Sequence, residues 1–166
     1  MIPLKVAKKN SEEDDMLEQI VNLLKEHPVV LALFDKFSTD IEHIHDIPME
    51  FADLETSAKA KKGRLYFNKA FLEDGNFIDD IHYMVHELVH ALQQKNGRVH
   101  ERRTGDHYLD DPAEIEAFKH QVEFIDAYKD GREAERYVDD LLKFHEFDGV
   151  EKDNKKKELT ERIRRA

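Results

Sequence analysis

The chain has 166 residues, which is enough for one domain with a substantial core but too few for two. Its 37 acidic residues outnumber its 26 basic residues, and the net charge of −11 argues against nucleic acid as a main partner, because phosphate backbones repel such a surface. It has no cysteine, which excludes disulfides and thiolate metal sites and leaves histidine and carboxylate as the strong metal ligands.

The chain shows no internal repeat and no low-complexity linker. We therefore predict one domain at residues 1–150 and a charged tail, mobile or a frayed helix, at 151–166. Residues 1–10 lack the apolar run of a signal peptide, and no later run approaches the roughly 18 apolar residues of a membrane span. We expect a cytoplasmic protein that does not bind membranes.

Two amphipathic helices are predicted at the beginning of the chain. Ser11 stands at the N-cap position of a first helix that runs to Glu26, and apolar residues recur along it every three to four positions. Pro28 suits the first position of a second, shorter helix that ends near Phe37. Both helices are expected to be packing scaffold.

The polar residues 38–46 predict a loop. His43 and His45 lie two positions apart on it, and such a pair could be taken for metal ligands. Histidines on loops more often face solvent, so we assign them no ligand role.

Apolar and polar residues alternate at 47–52 and again at 64–67, which is the period of a half-buried strand. Residues 56–60 precede a turn at 61–63 and can pair with 64–67 as a hairpin. We therefore predict a small antiparallel sheet just before the next helix. Such a sheet could bind an extended substrate chain along its edge by strand addition, or could simply cover that helix.

The segment from Ile81 to Gln94 carries the pattern His-Glu-x-x-His at His86, Glu87 and His90. On a helix, residues four apart lie one turn apart on nearly the same face, so the two imidazoles approach one point in space. This spacing supplies half of a zinc site. Glu87 lies about 100° further round the helix, from where it can reach a metal-activated water as a base without being a ligand.

Apolar residues surround this pattern at helical spacing, and they predict that the helix is largely buried. They are Phe77, Ile78, Ile81, Met84, Val85, Leu88, Val89 and Leu92. Asn76 with Asp79 marks the helix start, and Asn96-Gly97 marks its end. Buried imidazoles and carboxylates cost roughly a few kcal/mol each unless they are paired, and a shared metal ion satisfies all three. The alternative is that the histidines only hydrogen-bond within a core.

Residues 99–111 have no periodicity and predict a loop, carrying His107 and Tyr108, that could arch over a site. Two further helices are predicted after this loop, at about 111–129 and 132–147. The first has the form of a capped start with proline in its first turn.

A catalytic zinc site usually has three protein ligands, so one more is needed. The extended pattern His-Glu-x-x-His-x-x-Gly-x-x-His would have Gly at position 93 and His at position 96, where this chain has Gln93 and Asn96. That class of zinc peptidase is excluded. The segment Glu114-Ile115-Glu116-Ala117 instead resembles the E-x-x-A segment of the gluzincin peptidases, in which a Glu on a following helix is the third ligand.

The resemblance extends from His86 to Ala117 and includes the order of strands and helix before it. It is closest to the small cytosolic zincins of bacteria and their viruses, including the ImmA/IrrE-like group. The chain departs from this pattern at Phe118, where many gluzincins carry an Asp that orients a ligand histidine. The partner that orients the histidines is therefore not identified by the resemblance.

The resemblance implies an α+β fold of the minimal zincin type and a zinc-dependent peptidase that acts on peptide or protein substrates. Zn²⁺ would be held by His86, His90 and Glu114. Glu87 would act as the general base on a metal-activated water and hand the proton to the leaving amine.

A further donor is expected to stabilise the oxyanion of the transition state. His107, Tyr108 and also His100 lie on the loop where they could do so, although each can equally be an ordinary loop residue. Two other functions stay open: a zincin-type regulatory or binding module that keeps the metal, and a helix whose metal is purely structural. Glu87 favours the peptidase, because a structural site needs no base beside its ligands.

Helical geometry separates the two acids of the helix that begins near residue 112. At 100° per residue Glu114 lies in the apolar sector with Phe118, and a buried acid must be paired or coordinated. Glu116 falls about 200° away among charged residues and is predicted to be solvated, which leaves it as a weaker candidate ligand. Alternatively, Glu114 folds back on the Asp111 amide as a capping box.

Overall fold

A computed structural model describes residues 11–74, 80–97, 109–128 and 131–165. The elements are α1 (Ser11–Glu26), α2 (Pro28–Lys36), a 3₁₀ helix (Ile41–Asp46), β1 (Met49–Ala52), β2 (Ala58–Lys61), β3 (Arg64–Asn68), α3 (Ala70–Asp74), α4 (Ile81–Lys95), α5 (Pro112–Tyr128), α6 (Gly131–Phe144) and α7 (Gly149–Arg165). Helices with one small three-stranded sheet confirm the predicted α+β class. Within the described ranges, none of the helices is long and apolar enough to cross a membrane.

The first two helices form where the sequence predicts them. Three acidic residues in the first turn of α1 and a lysine in its last turn complement the helix dipole. α2 has Pro28 in its first turn, and the His27 side chain caps it by accepting a backbone N–H. Part of the predicted loop, Ile41–Asp46, is instead a 3₁₀ helix, because the Asp40 carboxylate accepts the N–H of Glu42 at 2.9 Å and caps it.

The sheet has the strand order β1–β3–β2. β2 and β3 form the predicted antiparallel hairpin, and Lys62 and Gly63 in its turn both have positive φ, which two-residue hairpin turns favour. β1 runs parallel to β3, with Phe51 beside Phe67, so the prediction of a wholly antiparallel sheet is wrong. A period-two pattern identifies a strand but not its partner, and the chain after β1 crosses to the far edge of β3.

The helix α4 lies at the centre of the fold, between the hairpin on one side and α5 on the other. Its apolar residues form a main core with α1, α2 and the sheet. A second, smaller cluster lies between α5, α6 and α7. α5 borders both, since Ala117 and Phe124 belong to the main core and Ile115 and Phe118 belong to the second cluster.

The burial predicted for the motif helix is confirmed, because residues on most sides of α4 are buried. The helix is capped at Asn96 and followed by Gly97 with a φ of 72°, as the Asn-Gly pair predicts. The predicted start signals, Asn76 and Asp79, lie outside the described residues. Here the structure begins the helix at Ile81.

The C-terminal residues pack onto the rest of the chain. Residues 151–165, which the sequence suggested as a charged tail, belong to α7, and Leu159 of that helix is buried in the second cluster. Lys155 and Arg162 both pair with the carboxylate of Asp110, two residues before α5 begins. α7 is therefore joined by ion pairs to the segment just before α5.

Candidate metal centre

Two histidines of α4 face α5 in the interior of the protein. His86 and His90, one turn apart, are each 6% exposed, and their Nε2 atoms lie 3.2 Å apart. Their rings meet nearly edge to face. The structure thus brings the two imidazoles to one point, as the spacing of the motif predicts.

Glu114 reaches the same point from the first turn of α5. Its Oε1 lies 2.7 Å from Nε2 of His90, and its Oε2 lies 3.2 Å from Nε2 of His86. The ligand atoms of these three residues lie within 4.8 Å of one another and could hold a metal ion. Asp111 caps α5 by accepting the N–H of Ala113 at 2.9 Å, and both oxygens of Glu114 are directed at the histidines instead of forming a capping box.

The Glu114 carboxylate and the His90 imidazole stabilise each other's charged forms. Burial by itself would lower the pKa of His90, but the hydrogen bond to Glu114 and its charge raise that pKa above its ordinary value. Burial would raise the pKa of Glu114, but hydrogen bonds from His86 and His90 hold it well below its usual range. Without a metal ion, His90 and Glu114 therefore form an imidazolium–carboxylate pair.

The donor set fits a divalent metal ion. Two imidazole nitrogens 3.2 Å apart repel each other unless a proton or a cation lies between their lone pairs. In a tetrahedral zinc site with bonds of about 2.0 to 2.1 Å, neighbouring donor atoms are about 3.3 Å apart. The Nε2 of His86 lies 3.2 Å from both of its neighbours, His90 Nε2 and Glu114 Oε2. Two histidines and one carboxylate leave a fourth position open, which is typical of catalytic zinc sites.

Glu87 lies beside this group and is partly exposed. Its Oε2 accepts a hydrogen bond from the backbone N–H of Ala60 in β2 at 2.9 Å. Ala60 and Leu65 of β3 form a non-hydrogen-bonded pair of the antiparallel ladder. The N–H of Ala60 therefore points away from β3, outward from the edge of the sheet. The predicted base is therefore oriented by an edge strand as well as by its own helix.

The prediction that Glu116 is solvated is wrong. This residue is only 9% exposed, its Oε2 lies 2.9 Å from Lys36 Nζ of α2, and its Oε1 accepts the side-chain amide of Gln93 at 2.9 Å. A helical wheel gives α5 one apolar face, but α2 and α4 cover a second side of it. An acid on that side must therefore be paired as well.

Two glutamines next to the histidines were not identified from the sequence. Gln93 Oε1 lies 2.8 Å from Nδ1 of His90, and Gln121 Oε1 lies 2.8 Å from Nδ1 of His86. The feature of the sequence that could have identified them is their spacing from the candidate ligands. Gln93 follows His90 by three residues, and Gln121 follows Glu114 by seven, so each lies on the same helix face as a ligand. Buried amides in such positions need hydrogen-bond partners.

The proposed oxyanion donors from the loop, His107 and Tyr108, with His100 as a further candidate, lie outside the described residues. Their role stays a prediction. His43 and His45 are exposed on the 3₁₀ helix, in agreement with the expectation that they face solvent.

Comparisons of the chain with protein-family models, with curated proteins and with solved structures find no match.

Proposed function

We propose that this protein is a zinc-dependent peptidase in which His86, His90 and Glu114 hold the metal and Glu87 is the general base. The observation that carries the proposal is the buried group of two imidazoles and one carboxylate with a second, partly exposed carboxylate beside it. A purely structural metal site would not need Glu87 next to its ligands. When bound there, Zn²⁺ supplies Lewis acidity to water and to a carbonyl oxygen at neutral pH.

Glu87 moves the proton in this mechanism. The N–H of Ala60 holds Oε2 at 2.9 Å, so we assign proton transfer to Oε1. That oxygen takes a proton from the attacking water and delivers it to the amine that leaves when the peptide bond breaks. A base fixed in this way contributes roughly 10²-fold to 10⁴-fold to the rate.

The edge of β2 is the candidate binding surface for the substrate. Among the described strands β2 pairs with β3 alone. Its other edge is therefore the candidate place for an extended peptide to add as a strand, through backbone groups other than the N–H of Ala60, which Glu87 holds. Ala60 lies on that edge and contacts the base, which would bring the added chain next to Glu87. The proposed substrate class is therefore a peptide or an extended protein segment.

The contact between Glu87 and Ala60 also favours a second candidate function. The N–H of Ala60, which an added strand would otherwise use, is already bonded to the carboxylate. A regulatory or binding module that keeps the metal and has little peptidase activity would have the same arrangement.

Metal content and hydrolysis measured together test the proposal. Mass spectrometry of the purified protein should find about one zinc per chain, both in the parent and in Glu87→Gln, because the ligands are unchanged. Cleavage of a mixed fluorogenic peptide library should be lost by roughly 10²-fold or more in the variant. Zinc without hydrolysis in the parent would favour the binding module. A parent without zinc, or a variant as active as the parent, would overturn the peptidase.

A further inference from the structure

Each candidate ligand histidine has a glutamine behind it. A neutral imidazole binds a metal through one nitrogen while the other carries the proton, so the partner of the second nitrogen decides which one is free. In both histidines Nδ1 faces the side-chain oxygen of a glutamine at 2.8 Å. Gln93 is 1% exposed and Gln121 is fully buried, so solvent cannot replace either partner.

The direction of the hydrogen bonds around Gln93 follows from its other neighbours. Its Nε2 lies 3.1 Å from the carbonyl oxygen of Ala113 and 2.9 Å from Oε1 of Glu116. A peptide carbonyl only accepts, and the Glu116 carboxylate accepts as the partner of Lys36. The amide NH₂ must therefore face these oxygens, its oxygen must face His90, and Nδ1 of His90 must carry the hydrogen.

Gln121 makes a similar arrangement behind His86. Its Oε1 lies 2.9 Å from the Tyr137 hydroxyl of α6, and its Nε2 lies 2.8 Å from Nδ1 of His82. The Tyr137 hydroxyl donates its hydrogen to Oε1. The same oxygen then accepts from Nδ1 of His86, and the amide donates to His82.

We propose that Gln93 and Gln121 are the positioning residues that turn Nε2 of both histidines towards Glu114 as metal donors. This inference rests on the proposed metal site. Both partners are neutral amides, so they fix the orientation and the tautomer of the imidazoles without adding negative charge.

The two glutamines differ in what can replace them. The NH₂ of Gln93 serves two oxygen acceptors, and Gln93→Glu would set a second carboxylate against Glu116. Among the described contacts the NH₂ of Gln121 has an imidazole nitrogen as its one acceptor, and His82 can donate to a carboxylate by changing its tautomer. Gln121→Glu therefore keeps the acceptor for His86, whereas Gln93→Glu disrupts the contacts that hold the acceptor for His90.

Zinc affinity, measured by competition with a chelator, tests this assignment. We expect Gln93→Leu and Gln121→Leu each to bind Zn²⁺ about 10-fold to 100-fold more weakly than the parent. Gln121→Glu should stay within about threefold of the parent, while Gln93→Glu should fall with the leucine variants. Adding Glu116→Gln to Gln93→Glu should recover part of the loss, because it restores a donor opposite the new carboxylate. Gln94→Leu is the matched control, since Gln94 accepts the N–H of Gly63 and has no hydrogen bond to His86 or His90 among the described contacts.

The outcomes separate this inference from the proposed function. If the parent does not bind Zn²⁺, the proposed metal site itself is overturned. A parent that binds Zn²⁺, with leucine variants that are folded by circular dichroism and bind equally well, leaves the site standing and overturns the role of the glutamines. If the leucine variants do not fold, the two glutamate variants decide. Equal affinities for Gln93→Glu and Gln121→Glu would contradict the assigned hydrogen-bond directions.

Discussion

The helices α4 and α5 contribute to the candidate site in different ways. α4 supplies His86, Glu87 and His90 within two turns, and their convergence follows from helix geometry alone. α5 supplies Glu114, which reaches the histidines only because α5 packs against α4. One half of the site is thus encoded locally, and the other half is assembled by tertiary packing.

This difference has an energetic consequence. α5 is enclosed by the main core on one side, by the second cluster on another, and by α2 beside Glu116. A substitution on α5 can therefore affect packing and metal binding together. His86 and His90 are about as buried as Glu114, but the apolar residues of α4 pack in the main core without them. We therefore expect α4 to form without its metal ligands. Substitutions in the two helices should therefore differ in their effects on zinc affinity and on stability.

The largest effect is expected from the ligands of α4. His86→Ala and His90→Ala should each weaken zinc binding by more than about 100-fold, so that neither variant retains stoichiometric metal after gel filtration. If the metal is only catalytic, circular dichroism of both variants should show the helix content of the parent. Loss of helicity together with the metal would indicate a structural site and would remove the contrast between the two helices.

A smaller loss of zinc affinity is expected when the candidate ligand of α5 is replaced. Glu114→Gln should weaken zinc binding by about 10-fold to 100-fold, because an amide is a poor metal ligand and cannot neutralise the positive charge of the zinc ion. Glu116→Gln is the matched control two residues away. An amide oxygen there still accepts the hydrogen bond of Gln93, so zinc affinity should change by about threefold or less. A reversed order of the two losses would make Glu116 the ligand.

The local half of the site could be predicted from the sequence because its information lies within five residues. The apolar residues around His86 and His90 also predicted the burial of α4 correctly. Glu114 could also be predicted from the sequence, because an acid in the apolar sector of a helix needs a partner. The hairpin of β2 and β3 was predictable too, because a short turn joins its strands.

The remaining features depend on packing between distant segments. Glu116 was assigned to solvent because a helical wheel contains no information about α2, which covers it through Lys36. Gln121 was missed because its partner His86 is 35 residues away and amides are not metal ligands. The parallel pairing of β1 with β3 depends on a crossing connection that a period-two pattern does not encode.

A third effect is expected from a histidine on α5 that the proposed mechanism does not use. His120 is buried, and among the described residues neither of its ring nitrogens has a hydrogen-bond partner. Burial lowers its pKa to about 4, with Lys36 and Lys119 adding to the shift and Glu116 opposing it. Unfolded His120 gains a proton below about pH 6.5, but folded His120 does not until about pH 4.

The unfolded state therefore binds more protons in this range, and the free energy of unfolding falls as the pH is lowered. In urea unfolding with a chelator present, His120 should make the free energy of unfolding about 2 kcal/mol lower at pH 5 than at pH 7. His120→Leu should remove that part of the pH dependence and be neutral or stabilising at pH 7, because no unpaired polar group is left. An unchanged pH dependence in the variant would assign it to other groups.

The smallest effect concerns how α5 is held at its beginning. Asp110 accepts Lys155 and Arg162 of α7 at its carboxylate, and Arg162 also donates to its backbone oxygen at 2.9 Å. Glu114 follows only four residues later. Asp110→Asn should lower the free energy of unfolding by about 1 kcal/mol, because the pair joins two helices and is partly buried, and the loss should shrink at high salt.

Glu161→Gln is the matched control, since Glu161 pairs only with arginines of its own helix among the described contacts and its side chain is 40% exposed. Such local surface pairs contribute about 0.3 to 0.5 kcal/mol. A larger loss for Asp110→Asn, accompanied by weaker zinc binding, would show that α7 helps to position Glu114. Equal losses in the two variants, with unchanged zinc affinity, would mean that the packing of α4 and α5 alone places this ligand.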